Sequence, residues 1–353
     1  MPEKVFVTGA NGLLGHNLTR ELISCGYEVT AFVPRNESIQ FLEPHPLLKI
    51  RRGNLLSYQE VLEAMRGCDS VVHAGANTTV SPAHDPLIFE VNVQGTRHVI
   101  DAALTLHVRK MVNVASASMF GFGPKERPGD ETSPYNCAQF GMDYHLSKLL
   151  AYQEVQRAVH ERGLKAVTVC PTYMLGAFDA RPSSGAMLLA VYQGKVPGYT
   201  GGGRNYVHVR DVAVGIVHAL EYGRIGEAYI LGNRNMDYKS AFALMAGVMH
   251  IEPPKIHFPD FAIKIFGALS SFIAWVRGTL PTISYKMSLV ACADFYYSPK
   301  KAVRELDLPQ TPIETAVEDA MNWFSDNGYI KGYHKRALVH EPEYEFETLS
   351  DSR

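Results

Sequence analysis

Tyr144 and Lys148 stand four residues apart within Met142 to Glu161, a run that reads as a helix. That spacing puts a phenol and an ammonium on one helix face, one turn apart. A cation beside a phenol favours the phenolate and lowers its pKa, which suits a tyrosine that gives or takes a proton near neutral pH. The ammonium can also hold a ribose hydroxyl. Ser116 precedes Tyr144 by 28 residues and ends the apolar strand that starts at Lys110. A hydroxyl at the carboxyl end of a central strand points into the ligand crevice, where it can hydrogen-bond a substrate oxygen beside the tyrosine. Ser118, two residues on, carries a second hydroxyl.

These groups need a frame, and the chain's start supplies it. Val5-Phe-Val-Thr8 is a strand, glycines follow at Gly9, Gly12 and Gly15, and Leu14, Leu18, Leu22 and Ile23 recur at helical spacing. Strand, glycine turn and helix N-terminus together let backbone N–H groups approach a pyrophosphate. Gly9 would make the turn, Gly12 the close phosphate approach and Gly15 the helix–strand contact. The spacing G-x-x-G-x-x-G is one residue longer in its first gap than the common dinucleotide fingerprint.

Further strands are expected at 28–33, 48–51, 70–73, 110–115 and 166–170, with helices at 57–65, 85–106 and 142–161. That alternation predicts an α/β fold, a Rossmann-type doubly wound parallel sheet, with the crevice at the carboxyl ends of the strands. After Pro171 the rhythm changes. Residues 172–330 read as a smaller mixed α/β substrate lobe interleaved with the last sheet elements, after a dinucleotide-binding domain at 1–171. Helices are expected at 185–194, 211–222, 238–250 and 312–327, with a strand at 229–231. Residues 331–353 read as a polar tail. The apolar stretch Ile265 to Val276 is too short to span a bilayer. It is expected as a buried or half-buried helix, with a pocket wall or a membrane-surface patch over 261–278 as the alternatives.

Composition narrows the partners. Hydrophobic residues make up 46% and charged residues 20% of 353, as in ordinary globular proteins, and a net charge of −2 offers nothing to nucleic acid. Five scattered cysteines show neither zinc spacing nor a disulfide framework, so no metal site is expected. The first strand begins at once, so no signal peptide is read, and a cytoplasmic location is expected.

Taken together, these motifs resemble the extended short-chain dehydrogenase/reductase (NAD-dependent epimerase/dehydratase) family, dihydroflavonol-4-reductase-like branch. The branch is carried by Gly194-Lys-Val-Pro-Gly-Tyr199, Gly226-Glu-Ala-Tyr-Ile-Leu-Gly232 and Tyr297-Ser-Pro-Lys-Lys-Ala302. The resemblance implies a triad of Ser116, Tyr144 and Lys148, with Asn92 of Asn92-Val-Gln-Gly-Thr96 supporting the site. For the coenzyme it implies contacts from Gly9, Asn11, Gly12, Leu13, Leu14 and Gly15, and from Ala74, Gly75 and Ala76 beside the adenine ribose. It adds Val114, and Pro171, Thr172 and Met174 along the nicotinamide. Tyr206 to Asp211 resembles the start of a small-lobe helix. Two positions depart from the family. Asn54, which with Leu55 is expected at the adenine side of the coenzyme, stands where Gly-Asp-Leu is usual, and Ala115-Ser116-Ala117-Ser118 replaces paired serines, so that Ser118 can share or take the hydroxyl role.

No acid ends the second strand, and Arg35 follows it. A guanidinium suits a 2′-phosphate, which favours NADP (as NADPH) over NAD. The expected activity is hydride transfer to a ketone or aldehyde. The alternatives are a nucleotide-sugar epimerase with tightly bound NAD, for which Arg181, Arg204 and Arg210 are candidate diphosphate clamps, and a non-catalytic NAD(P)-binding sensor. Thr78, Ser118, Tyr173, Phe178 and Met187 are candidate substrate contacts, with Tyr192 beside them, and ordinary core is the competing role for the large apolar ones. A homodimer through the helices at 85–106 and 142–162 is implied by the resemblance.

Overall fold

The computed structural model describes residues 2–79, 84–279, 281 and 284–333. The first half of the chain runs β1 (Lys4–Thr8), α1 (Leu13–Ser24), β2 (Glu28–Pro34), β3 (Leu48–Gly53), α2 (Tyr58–Met65) and β4 (Ser70–His73). It continues through α3 (Pro86–Phe89), a π-helical turn at Glu90–Gln94, α4 (Gly95–Thr105), β5 (Lys110–Val114), α5 (Asp143–Arg162) and β6 (Ala166–Pro171). Most of the proposed polar tail, residues 334–353, lies outside the described residues.

Among the described residues the main sheet has seven strands in the order β10-β6-β5-β4-β1-β2-β3, where β10 is Ala228–Leu231. Every pairing in it is parallel. Strands β5 and β6 are buried at every position, as both-face coverage requires. In β1 the pleat divides the side chains. Val5 and Val7 join α1 and the later helix α7 (Val209–Glu221) on one face, while Phe6 joins α2, α4 and α5 on the other. Strand order reverses between β1 and β4, and the crevice opens at their carboxyl ends.

After β6 come β7 (Tyr173–Leu175), α6 (Gly185–Tyr192), β8 (Gly198–Tyr199), β9 (Gly203–His208) and α7 (Val209–Glu221), before β10 closes the main sheet. The chain then forms β11 (Arg234–Asp237), α8 (Tyr238–Met249), β12 (Ile256–His257), α9 (Asp260–Arg277) and α10 (Tyr285–Ala291). It ends with β13 (Asp294–Phe295), α11 (Lys300–Leu306) and α12 (Ile313–Asp326). A second small sheet, β7, β9, β11 and β13, is centred on β9. Its core is built on α6, α8 and α12 around Tyr206, Phe242 and Phe324.

Two expectations change here. The single helix at 85–106 contains a π turn, which widens the helix where Asn92 sits. Helix α9 is longer than its apolar stretch and is not buried: only Gly267 and Ala274 are fully covered. Gly267 and Ala274 face the protein, and the large apolar residues face outward.

Candidate functional site

The glycine turn is built as its spacing suggests. Gly9 has φ +70°, and a Cβ there would lie 2.7 Å from Gly75 Cα, so β1 and β4 meet backbone to backbone. A Cβ on Gly15 would lie 2.1 Å from Gly9 O, which lets α1 start hard against the turn. At Gly12 the nearest atom to such a Cβ is Gly9 O at 3.5 Å, so the protein leaves that side open. Gly12 caps α1 without a side-chain hydrogen bond, and the first turn of α1 carries no acid. An uncapped helix start of this kind, with Asn11 before it and Leu13 and Leu14 in its first turn, fits the pyrophosphate of a dinucleotide.

Behind the turn lies a buried chain of hydrogen bonds. Gly75 N–H donates to Thr8 Oγ1 (2.9 Å), and Thr8 Oγ1 lies 2.8 Å from His73 Nδ1. His73 Nε2 lies 3.0 Å from Thr96 Oγ1, which donates to Asn92 O at 2.6 Å. Thr96 has given its one proton away, so it accepts from His73, and the ring is neutral with its proton on Nε2. Burial agrees, pushing the imidazole down to about 3. Ala74 and Ala76 flank this segment, half-buried beside the turn.

Asn92 holds rather than reacts. Its Oδ1 accepts from Asn77 N–H (2.7 Å), and its Nδ2 donates to Asn77 O (3.0 Å) and Ser147 Oγ (2.9 Å). Ser147 in turn donates to Tyr144 O. Asn92 thus ties the loop after β4 to the first turns of α5. Thr78, next to Asn77, is exposed.

Tyr144 and Lys148 sit on α5 at the ends of β5 and β6. Lys148 Nζ donates to Val114 O at 3.1 Å, and burial pushes its ammonium down to about 8. The Tyr144 phenol is raised, not lowered: burial outweighs the hydrogen bond of Ser116, and Lys148 does not offset it. The expectation of a phenol lowered by its neighbour is corrected, because helical spacing fixes proximity but not solvation. Ser116 leaves β5 extended and caps a short 3-10 turn at Ala117–Met119. Its Oγ lies 2.9 Å from Ser118 Oγ and accepts from Ser118 N–H. The two hydroxyls are therefore one hydrogen-bonded pair.

At the adenine edge, Arg35 is ion-paired to Glu60 at 2.9 Å. Glu60 also accepts Asn54 N–H, and Asn54 Oδ1 accepts Leu56 N–H, so this turn is knitted by Asn54 and Glu60. Leu55 packs its methyl groups on Gly95. Arg52 binds the carbonyls of Arg35 (2.8 Å) and Glu37 (2.9 Å). Neither Glu60 nor Arg52 is marked as a site residue by the sequence; the β2–β3 pairing brings Arg52 beside Arg35, and α2, packed on both strands, brings Glu60.

On the substrate side, Pro171 ends β6, Thr172 donates to Asn205 Oδ1 at 2.8 Å, and Met174 pairs with Val207 in β7–β9. Tyr173 OH donates to Ser184 O (3.0 Å), and its ring lies under Arg204. Phe178 stacks on His16 of α1, while Met187 and Tyr192 pack on the second core. Of the three arginines weighed as clamps, Arg181 pairs with Glu37 and Arg210 with Glu21. Arg204 has no carboxylate partner among the described residues. Its Nε donates to Tyr238 OH (2.9 Å), and its guanidinium lies over the Tyr173 and Phe295 rings at 5.1 and 5.3 Å. It also helps burial push His145, next to Tyr144, down to about 4.

Comparison with known proteins gives these features a context. The sequence pattern described as "NAD dependent epimerase/dehydratase family" matches residues 5–232. The chain is 28% identical over 336 residues to a putative dihydroflavonol 4-reductase of Synechocystis sp., covering 94% of this chain and 97% of that protein. It is 27% identical over 333 residues to sterol demethylase protein B of Methylococcus capsulatus, covering 92% and 99%. Among solved structures, a nucleoside-diphosphate-sugar epimerase from Pseudomonas aeruginosa superposes with a TM-score of 0.76 at 25% identity, over 93% of this chain and 99% of that one.

Proposed function

The chain belongs to the NAD dependent epimerase/dehydratase family and is an NAD(P)-dependent oxidoreductase, and from that premise we propose that it reduces a ketone or aldehyde of a fairly apolar small molecule with NADPH. Residues 1–171 would bind the coenzyme and residues 172–330 would shape the substrate side. The bound coenzyme supplies the hydride. The chain does the rest. The first turn of α1 binds the pyrophosphate, and Ala74 to Ala76 line the adenine side. Lys148 orients a ribose hydroxyl from its place at Val114 O. Ser116, steadied by Ser118, donates a hydrogen bond to the carbonyl oxygen. Tyr144 gives its proton to that oxygen as it becomes an alkoxide.

The observation that carries this reading is the hydrogen-bonded Tyr144–Ser116 pair at the end of β5, with Lys148 one helical turn on and held at Val114 O. The names of the two relatives, a dihydroflavonol 4-reductase and a sterol demethylase protein, support an apolar carbonyl substrate. Tyr144→Phe is expected to lower turnover roughly 10²- to 10⁴-fold on a panel of carbonyl substrates followed by NADPH absorbance, with coenzyme affinity unchanged. Near-normal turnover in that variant would overturn the assignment.

Arg204 favours a second reading. A guanidinium walled by aromatic rings, with no carboxylate partner among the described residues, is set to receive an anion, as a sugar-nucleotide epimerase requires. Such an enzyme would carry NAD through purification. Acid release of stoichiometric NAD from the purified protein would select this reading over the reductase.

A further inference from the structure

Helix α9 is amphipathic the wrong way round for a core element. Gly267 rests on Ser288 of α10, so close that a Cβ would come within 2.8 Å of the Ser288 Cβ. Ala274 is buried beside it, and Ser271 Oγ accepts Tyr285 N–H at 2.9 Å. The opposite side of the helix carries Phe261, Ile265, Leu269, Phe272, Trp275 and Val276, all exposed, with Trp275 at 78% and Phe261 at 68%. At 100° per residue these six fall within one arc on the helix circumference. A contiguous apolar face of this size marks an interaction site rather than the scattered exposure normal for a surface.

The borders of that face identify what it meets. Lys264 lies at one edge and Arg277 at the C-terminal end, and neither forms an ion pair among the described residues. The helix has a single acid, Asp260, and that carboxylate accepts Gly201 N–H at 3.0 Å. A second copy of the chain would therefore bring cations to cations and no free acid from this helix to match them. A bilayer with anionic lipids offers the complement: hydrocarbon for the aromatic and aliphatic face, and phosphates for the lysine and arginine at its margin. A tryptophan beside the basic end fits the headgroup level. No helix among the described residues is long and apolar enough to cross a membrane, so the helix would lie in the interface plane.

We propose that α9 docks the protein on the surface of an anionic bilayer. The position gives the contact a use. Helix α10, which carries α9, packs against the segment Cys137–Phe140 that leads into Tyr144, and Leu289 and Val290 rest on the cluster containing Ala115, Ala117 and Met119. The docked face is thus one helix removed from the Ser116–Tyr144 pair. Delivery of an apolar substrate from the lipid rests on the reductase reading; the docking itself does not, and the test below reads it without turnover.

The test uses the full chain with vesicles of phosphatidylcholine alone and of phosphatidylcholine mixed with phosphatidylglycerol. Co-sedimentation is expected with the mixed vesicles and is expected to weaken as salt rises. Trp323 is buried and Trp275 exposed, so the fluorescence blue shift on binding should come from Trp275 and vanish in Trp275→Phe while sedimentation persists. Leu269→Ser with Phe272→Ser should reduce vesicle affinity roughly tenfold or more, and Lys264→Gln with Arg277→Gln roughly fivefold per cation on the anionic vesicles only. Thermal midpoint and coenzyme binding serve as folding controls. Absence of binding to both vesicle types overturns the proposal. So does a wild-type oligomer that the Leu269→Ser, Phe272→Ser variant dissolves, because the face would then belong to a second copy.

Discussion

The coenzyme choice turns on Arg35 and the carboxylate that holds it. The guanidinium donates to Glu60 Oε2 at 2.9 Å, with side chains 62% and 33% exposed. An exposed pair of this kind is worth about 1 kcal/mol or less. A charge-assisted hydrogen bond from Arg35 to a 2′-phosphate is worth about 1.5–3 kcal/mol. Losing Glu60 to gain the phosphate leaves a net of about 0.5–2 kcal/mol, or roughly 2- to 30-fold in affinity. Arg35→Ala should therefore weaken NADPH by that factor and leave NADH nearly unchanged, and the difference should shrink as salt rises. Glu60→Gln should act oppositely. It frees Arg35 and removes a carboxylate from the phosphate's surroundings, so NADPH should bind up to about fivefold tighter. Pro34 is the exposed last residue of β2, whereas Val33 is fully buried. An acid for the ribose 2′-hydroxyl therefore belongs at Pro34, and Pro34→Asp should shift preference towards NADH. The assay is the Kd of both coenzymes, by calorimetry, for the wild type and the three variants. Equal weakening of NADPH and NADH in Arg35→Ala, or a wild type that already prefers NADH, would refute the reasoning.

Lys148, pushed down to about 8 by burial, should impose an alkaline limb with an apparent pKa near that value on kcat/KM, and the smaller residual rate of Lys148→Met should be flat across the same window. His73 is held neutral, with its pKa depressed to about 3 from an ordinary 6.5. Its contribution is thus complete above about 6.5, and stability should fall by up to about 1.4 kcal/mol per pH unit as pH drops from there, visible in urea melts. Thr96→Val leaves His73 Nε2–H buried without an acceptor and should cost about 1–3 kcal/mol by the same measurement. Leu87 and Leu146 are exposed on α3 and α5, the helices proposed to pair two copies; sedimentation velocity should show a dimer at micromolar concentration, and Leu146→Glu should yield monomers.

What the sequence made legible was local. A strand of Val and Phe, three glycines and a leucine-spaced helix are read within twenty residues, and β1, the turn and α1 follow them. Tyr144 and Lys148 are neighbours because helical periodicity makes them so. What was not legible depends on distant chain. The phenol of Tyr144 rises because the fold buries it, which spacing alone does not encode. Arg35 meets Glu60 only because β3 pairs with β2 and α2 packs back on both strands. The small sheet on β9 is assembled from short strands such as Arg234–Asp237 and Asp294–Phe295, which have no alternation long enough to read. The π turn at Asn92 leaves no mark in hydrophobic period, although the Asn77 and Ser147 bonds depend on where it points that side chain. In α9 the apolar content was plain, but periodicity cannot say whether the small or the large residues face inward.

The last strand of the main sheet has a consequence for biosynthesis. Strand β6 ends at Pro171, and its outer neighbour β10 ends at Leu231, after β7, α6, β9 and α7 have been made. Ribosomes add about 5–20 residues per second, so β6 emerges several seconds before the strand that covers it. During that interval a wholly buried strand, Ala166-Val-Thr-Val-Cys-Pro171, has an open edge of unpaired backbone groups. Truncation products ending between the two strands are expected to be sticky and chaperone-bound. Release from chaperones should follow the emergence of Gly226 to Gly232 from the exit tunnel rather than completion of the glycine-turn half of the chain.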